Sequence, residues 1–261
     1  MATATATATA MVIPNIRMLN MSLFNFLNRG SETLVDVDIH SHLIPSIDDG
    51  AKDLERSIEL ILKLQEMGYK KLITTPHVSD MFPNSTEVIL NGYKTLKEEL
   101  NKRKIEIEIE VAAEYYADET FERLLKNRDI LTFGKEKYLL FELSYFTRPR
   151  ELESLIHDIK MAGYVPVLAH PERYVYFHDS IEEYTKIKAL GVLFQINLNS
   201  IVNYYSEEIG KVVKELINRG MVNFVGSDTH HRRHVKFLEK SLQNSFYKKV
   251  FKKNKILNNT L

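Results

Sequence analysis

LVDVDIHSH, residues 34–42, carries the decision about the fold. Val35, Val37 and Ile39 alternate with Asp36, Asp38, His40 and His42, the two-residue period of a β-strand with one apolar face, which is expected to pack on helices. Six further β-branched runs recur downstream: KLITTPH (71–77), IEIEIEVAAE (105–114), YLLFELS (138–144), VPVLAHPER (165–173), VLFQINLNS (192–200) and MVNFVGSDTH (221–230). Segments of helical period separate them. Residues 53–67 place Leu54, Ile58, Ile61 and Leu62 on one stripe ended by Gly68, and residues 151–162, 181–190 and 207–219 are each followed by glycine. About seven βα units predict an α/β fold with parallel strands, closed or nearly closed as a TIM-like barrel.

The chain has 261 residues, 44% hydrophobic and 27% charged, which is enough for one large domain with a buried core. Residues 1–31 differ in character: an Ala-Thr repeat precedes a Met/Leu/Phe/Asn stretch, and they read as a disordered leader or a docking helix outside the domain at 32–261. Thirty-five basic residues balance thirty-five acidic ones, so no global field favours nucleic acid or an anionic membrane. No apolar run reaches the roughly 20 residues that span a bilayer, so a cytoplasmic protein is expected. The absence of cysteine excludes disulfides, thiolate metal sites and cysteine nucleophiles. The basic stretch YKKVFKKNK (247–255) reads as a solvated helix end, and truncation after Leu242 is expected to leave activity intact.

The unusual residues fall at the C-terminal ends of the predicted strands. They are His40 and His42, His77, Glu114, Glu142, His170, and Asp228 with His230. In a parallel barrel those ends converge on one mouth. Alternate residues of a strand lie about 7 Å apart on the same side, so His40 and His42 can chelate one ion, with Asp38 orienting His40 from behind. Glu142 follows the apolar YLLF, where a lone carboxylate would be costly and a cation is a natural partner, a buried salt bridge being the bland alternative. Asp49 serves as a ligand or as a helix cap. Five histidines and four carboxylates exceed the needs of one ion and suggest two or three. Arg173 is the preferred phosphate clamp, Arg232 and Arg233 have similar access, and His157, His178, His231 and His234 read as surface residues.

The ordered motifs DVDIHSHLIPSIDDGA, TTPHV, AAEYY, FELS, LAHPERY and GSDTHH resemble those of the polymerase-and-histidinol-phosphatase (PHP) superfamily, and within it the bacterial manganese-dependent protein-tyrosine phosphatases of capsule and exopolysaccharide loci, over residues 34–238. The resemblance implies a distorted (βα)7-type barrel and three ions. His40, His42, Glu142 and Asp228 would hold one, His77, His170 and a shared Glu142 a second, and Asp49, Glu114 and His230 a third. It makes Arg173 and Asp228 the catalytic candidates and Arg173, with Arg232 or Arg233 competing as a second arginine, the substrate-binding ones. Manganese is the favoured ion, with iron or zinc open to the same donors. The implied reaction is hydrolysis of phosphotyrosine by a metal-activated hydroxide. The implied partner is the tail of a membrane-associated tyrosine kinase of polysaccharide export, which would recruit the protein to the inner face of the membrane; homo-oligomerisation is left open.

Three other readings compete. Asp36-x-Asp38 mimics an aspartyl-nucleophile phosphatase of the haloacid-dehalogenase type. Another metal barrel would act on a C–N bond, histidinol phosphate or a nucleic-acid phosphodiester. A barrel that had lost catalysis would serve as a binding scaffold, and its metal ligands would be expected to have decayed.

Overall fold

The computed structural model describes residues 34–261, so the leader at 1–31 lies outside the described residues. Nine strands alternate with eight helices: β1 Val37–Asp38, α1 Leu54–Glu66, β2 Lys71–Thr74, β3 His77–Val78, α2 Thr86–Lys102, β4 Glu108–Val111, β5 Glu114–Tyr116, α3 Glu119–Asn127, β6 Tyr138–Glu142, α4 Leu152–Met161, β7 Val165–Ala169, α5 Ile181–Ala189, β8 Leu193–Asn197, α6 Glu207–Asn218, β9 Phe224–Gly226, α7 Arg232–Gln243 and α8 Ser245–Lys253. Helix starts follow elementary capping chemistry: Asp53, Ser85, Asp118 and Ser206 each accept a hydrogen bond from a backbone N–H of the first turn. Helix α1 buries Ile58, Leu60, Ile61 and Leu64, whereas Leu62, expected on its buried stripe, is exposed.

All named ladders are parallel, in a three-stranded sheet β1-β2-β4 and a six-stranded sheet β3-β5-β6-β7-β8-β9. This departs from a continuous closed barrel. Two predicted strands are each broken in two: Pro76, which has no N–H to donate, separates β2 from β3, and Ala112–Ala113 separates β4 from β5. The breaks let the chain shift between sheets without losing contact, because Ala112 N–H still donates to Thr74 O and Glu114 N–H to Pro76 O.

The seam between the first and last strands is held largely by side chains. Ser41 and Thr229 form one isolated parallel bridge. Below it, the fully buried Asn258 donates from Nδ2 to Val37 O (2.9 Å) and Val225 O (2.8 Å) and accepts from Val225 N–H at Oδ1 (3.0 Å). Asp38 accepts from the Ser227 N–H (2.9 Å) and hydroxyl (2.6 Å). Two side chains thus stand where a ladder would otherwise run.

Two apolar cores result. The larger lies among the helices and includes Ile61, Phe121, Phe141, Phe177 and Leu216. A smaller one is built mainly from strand residues, Val37, Ile39, Ile73, Leu140, Val167, Ala169 and Phe224. The expected apolar face of the first strand therefore meets other strands at Val37 and Ile39; only Val35 joins the helical core. No helix among the described residues is long and apolar enough to cross a membrane.

The C-terminal segment is structural, contrary to the reading of it as a solvated end. Tyr247, Val250 and Asn258 are buried, Tyr247 Oη accepts from Leu34 N–H, and Leu257 N–H donates to Asn223 O. Truncation after Leu242 removes the side chain that bridges the seam. We expect that truncation to abolish cooperative folding, and Asn258→Ala, which strands three buried backbone groups, to cost about 1–3 kcal/mol. Thermal unfolding checks both: an unchanged midpoint in either variant would mean that the seam does not depend on this segment.

Candidate metal centre

Beyond β1 the chain leaves the regular ladder, and His40 and His42 project into a buried space at the C-terminal ends of the strands. His77 opens β3, Glu114 opens β5, Glu142 ends β6, and His170 follows β7; Asp228 and His230 follow β9, and Asp49 lies in the turn before α1. Thus the nine singled-out residues lie together. Their donor atoms form four overlapping groups, each with all atoms within 4.8 Å of one another: His42, Asp49, His77 and His230; His40, Glu114 and His170; His40, His42 and Asp228; His77, Glu114 and Glu142. The grouping differs from the one implied by resemblance. Glu114, rather than Glu142, is the carboxylate at the centre, and it sits with His40 and His170 instead of with Asp49 and His230.

Close packing fixes this geometry. A Cβ on Gly50 would fall 2.4 Å from His42 Cβ, and one on Gly226 would fall 2.7 Å from His40 Cβ, so both positions need glycine for the strand to approach. His170 and Asp228 hold left-handed backbone conformations (φ 31° and 49°), a cost accepted at the two strand ends that deliver them.

The donor set asks for cations. Glu114 is fully buried, and its Oε2 lies 3.1 Å from His40 Nε2, 3.4 Å from His42 Nε2 and 3.2 Å from His77 Nδ1, yet makes a hydrogen bond with none of them. His40 Nδ1 pairs with Gln195 Oε1 (2.8 Å) and His42 Nδ1 with Asp48 Oδ2 (2.9 Å). When each Nδ1 donates to its oxygen, the two Nε2 lone pairs face one another across 3.3 Å. Opposed lone pairs beside an unbonded carboxylate oxygen repel unless positive charge stands between them. Protons can supply it: burial pushes His40 down, but Glu114 and Asp228 outweigh this and raise its pKa to about 9. Burial likewise opposes ionisation of Asp228, and His40 and His230 reverse it, holding that carboxyl well below the usual range. Divalent ions would serve in place of those protons, and mixed imidazole and carboxylate donors suit manganese, iron or zinc.

Several orienting residues had not been singled out. Asp48, next to the candidate Asp49, holds His42 and accepts from His77 N–H (3.1 Å). Gln195, not Asp38, orients His40, and its amide donates to Asn197 Oδ1 (2.9 Å); Asn197 in turn donates to Asp228 Oδ2 (2.6 Å). The signal was present in VLFQINLNS, where Gln195 and Asn197 interrupt an apolar strand with period two. His234, read as a surface residue, is buried and neutral, its pKa pushed down to about 3 by burial, and its Nδ1 accepts from His230 N–H (3.0 Å).

Arg173 enters the same cavity of about 230 Å³, lined also by His77, Glu114, His170, Asp228 and His230. Its guanidinium lies 4.3 Å from the ring centres of both Tyr145 and Tyr205, and Nη1 is 3.3 Å from Asp228 Oδ2. Tyr145 donates to Glu142 and Tyr205 to Asp228, and burial raises both phenols, which stay protonated. Arg232 and Arg233 do not line that cavity. Arg232 is paired with Glu59 of α1, and Arg233 lies over Tyr204 at 5.4 Å. Asp36 forms an exposed pair with Lys70, away from the cluster, which leaves the aspartyl-nucleophile reading without a site.

Comparison with known proteins agrees with this site. The profile of a family described as "Capsular polysaccharide synthesis, CpsB/CapC" matches residues 36–256. Tyrosine-protein phosphatase CpsB of Streptococcus agalactiae is 31% identical over 202 residues, covering 75% of this chain and 83% of that protein. Tyrosine-protein phosphatase YwqE of Bacillus subtilis is 29% identical over 196 residues, covering 75% and 77%. A solved structure from work on YwqE of Bacillus subtilis and CpsB of Streptococcus pneumoniae, described there as unique metal-dependent tyrosine phosphatases, superposes with a TM-score of 0.72 at 26% identity, covering 83% of this chain and 91% of that one. With a profile match that runs from the first strand through α8, the chain belongs to the CpsB/CapC family of capsular polysaccharide synthesis.

Proposed function

We propose that this chain is a metal-dependent protein-tyrosine phosphatase acting on the phosphorylated tail of a tyrosine kinase of polysaccharide export, on the cytoplasmic side of the membrane. The observation that carries the reading is Glu114: a fully buried carboxylate surrounded by imidazoles, with an oxygen that no hydrogen bond satisfies. The named relatives supply the substrate class. The strand-lined core and the side-chain seam support a distorted barrel as the scaffold.

His40, His42, His77, His170, His230, Asp49, Glu114, Glu142 and Asp228 would hold two or three divalent ions, manganese being the favoured choice. Such ions supply Lewis-acid activation of water and neutralise phosphoryl oxygens. The chain's own residues do the rest. Arg173 offers a fork of N–H donors to the phosphoryl group, and its two flanking tyrosines fix the plane of that fork. The pairing of Arg173 with Asp228 keeps the guanidinium beside the cluster before substrate arrives. Gln195 and Asp48 hold the proton on the outer nitrogen of His40 and His42, so the inner nitrogens remain free to bind.

Three outcomes are expected. Protein stripped of metal should release no phosphate from a phosphotyrosine peptide, regain turnover with manganese, and show none with His42→Ala. Equal turnover without metal would exclude the mechanism, and exclusive turnover of histidinol phosphate or a cyclic amide assayed alongside would exclude the substrate. Arg173→Lys, which keeps the charge and loses the fork, should lower kcat/KM by about 100-fold; a value near wild type would place phosphoryl recognition elsewhere. The third concerns the metal-free protein. Its His40 is raised to about 9 from the ordinary 6.5, so the native state keeps a proton that the unfolded chain releases. That stability is complete below 6.5 and is lost as pH rises through about 9. His42 and His77 shift the same way and His170 the other, so the melting temperature should fall across this window without metal and stay level with manganese bound. A metal-free melting temperature that is flat with pH would show that protons do not occupy the place of the ions.

A further inference from the structure

A second depression, of about 450 Å³, opens beside the cluster on the His77 side and shares Asp49, His77 and Tyr145 with the cavity that holds Arg173. Met81, Phe82, Tyr116 and Tyr145 give it apolar surface, with the carboxylates of Asp49, Asp80, Asp118 and Glu142 set among them. Met81 and Phe82 come from the turn after β3, Tyr116 ends β5, and Tyr145 follows β6. Met81 is 81% exposed, more than any other large apolar side chain among the described residues.

The groove is built rather than incidental. Its two walls are tied together, since Asp80 N–H donates to Asp118 Oδ2 (2.9 Å) and the Thr120 hydroxyl to Asp80 Oδ1 (2.6 Å). The turn is also closed on itself: Ser79 N–H donates to Phe82 O, Phe82 N–H to Ser79 Oγ, and Asn84 Nδ2 to His77 O. The Phe82 ring lies parallel to the His77 imidazole, 5.5 Å away at 13°. Phe82, Tyr116 and Tyr145 thus line one depression that begins at His77 of the cluster.

We propose that this groove is the subsite for the aromatic ring of the phosphotyrosine side chain, and that it makes the enzyme select aryl over alkyl phosphate esters. The inference rests on the phosphatase reading above. A phosphoryl group held between Arg173 and the cluster leaves its ester oxygen with two kinds of neighbour. Toward His230 and His231 the lining turns basic, with Lys52, Arg56, Arg232 and Arg233. Toward His77 it turns apolar. A phenyl ring gains by leaving water on the second side, through burial and ring-to-ring contact with Phe82 and Tyr145. An alkyl chain such as that of phosphoserine has no π-face to stack on Phe82 or Tyr145. The nearby carboxylates of Asp80 and Asp118 would disfavour a second anionic group in the same groove.

Calorimetric binding of benzylphosphonate and n-butylphosphonate to the manganese-loaded full chain tests this, with turnover of a phosphotyrosine peptide measured in parallel. Wild type should prefer the benzyl compound. Phe82→Ala should weaken benzylphosphonate by about tenfold and leave butylphosphonate unchanged, and should raise KM for the peptide more than it lowers kcat. Met81→Ala, at a residue outside the nine of the cluster and 81% exposed, should move the benzyl compound in the same direction. Equal weakening of both phosphonates would mean that Phe82 acts only by supporting His77, and no change in either variant would place the ring elsewhere; both overturn the proposal. Wild type that prefers benzylphosphonate but fails to hydrolyse phosphotyrosine would remove the phosphatase reading and keep the subsite.

Discussion

Glu114 sets the terms for the rest of the molecule. A carboxylate removed from water costs several kcal/mol unless opposite charge meets it, and here that charge must come from His40, His42 and His77, delivered by separate strand ends, while His170 Nε2 hydrogen-bonds the other carboxylate oxygen. The imidazoles in turn need Gln195 and Asp48 to fix their outer nitrogens, and Asp228 needs Asn197 and Tyr205. The left-handed backbone at His170 and Asp228 and the missing Cβ atoms at Gly50 and Gly226 are further consequences of forcing so many polar groups into one place.

The seam between the first and last strands shows how such a cluster is reconciled with a fold. Continuous ladders would dictate side-chain direction all the way to the mouth. Breaking them at Pro76 and at Ala112–Ala113, and ending β1 at Asp38, frees the last residues of each strand to turn toward the centre. The hydrogen bonds lost at the seam are recovered by Asn258 and Asp38. The C-terminal segment thereby becomes part of the seam between the two sheets, and the apolar residues around Lys248 and Lys249, Tyr247 and Val250, pack inward while the lysines remain outside.

The two sides of the site differ in character because different elements build them. Strand ends β3, β5 and β6 bring Phe82, Tyr116 and Tyr145 to one flank, and the starts of α1 and α7 bring Arg56, Arg232 and Arg233 to the other. On the proposed reading, a substrate anchored by its phosphoryl group would meet aromatic side chains in one direction and cations in the other.

The order of strands and helices was legible because period-two and period-3.6 patterns are local, and the cluster was legible because ligand-type residues at strand ends stand out against apolar runs. Sequence by itself thus determined the parallel α/β class, the nine residues that meet, and Arg173 beside them. It misplaced whatever depends on partners distant in the chain. Asp38 reaches Ser227 across 189 positions, Asn258 reaches Val37 across 221, and His234 and Gln195 become orienting groups only once α7 and β8 lie beside the cluster. Which carboxylate is central, which arginine lines the cavity, and what lies behind each imidazole were decided by tertiary structure alone, because distances of a few ångströms between separate strand ends are set by how the strands pack and leave no periodic trace in any one of them.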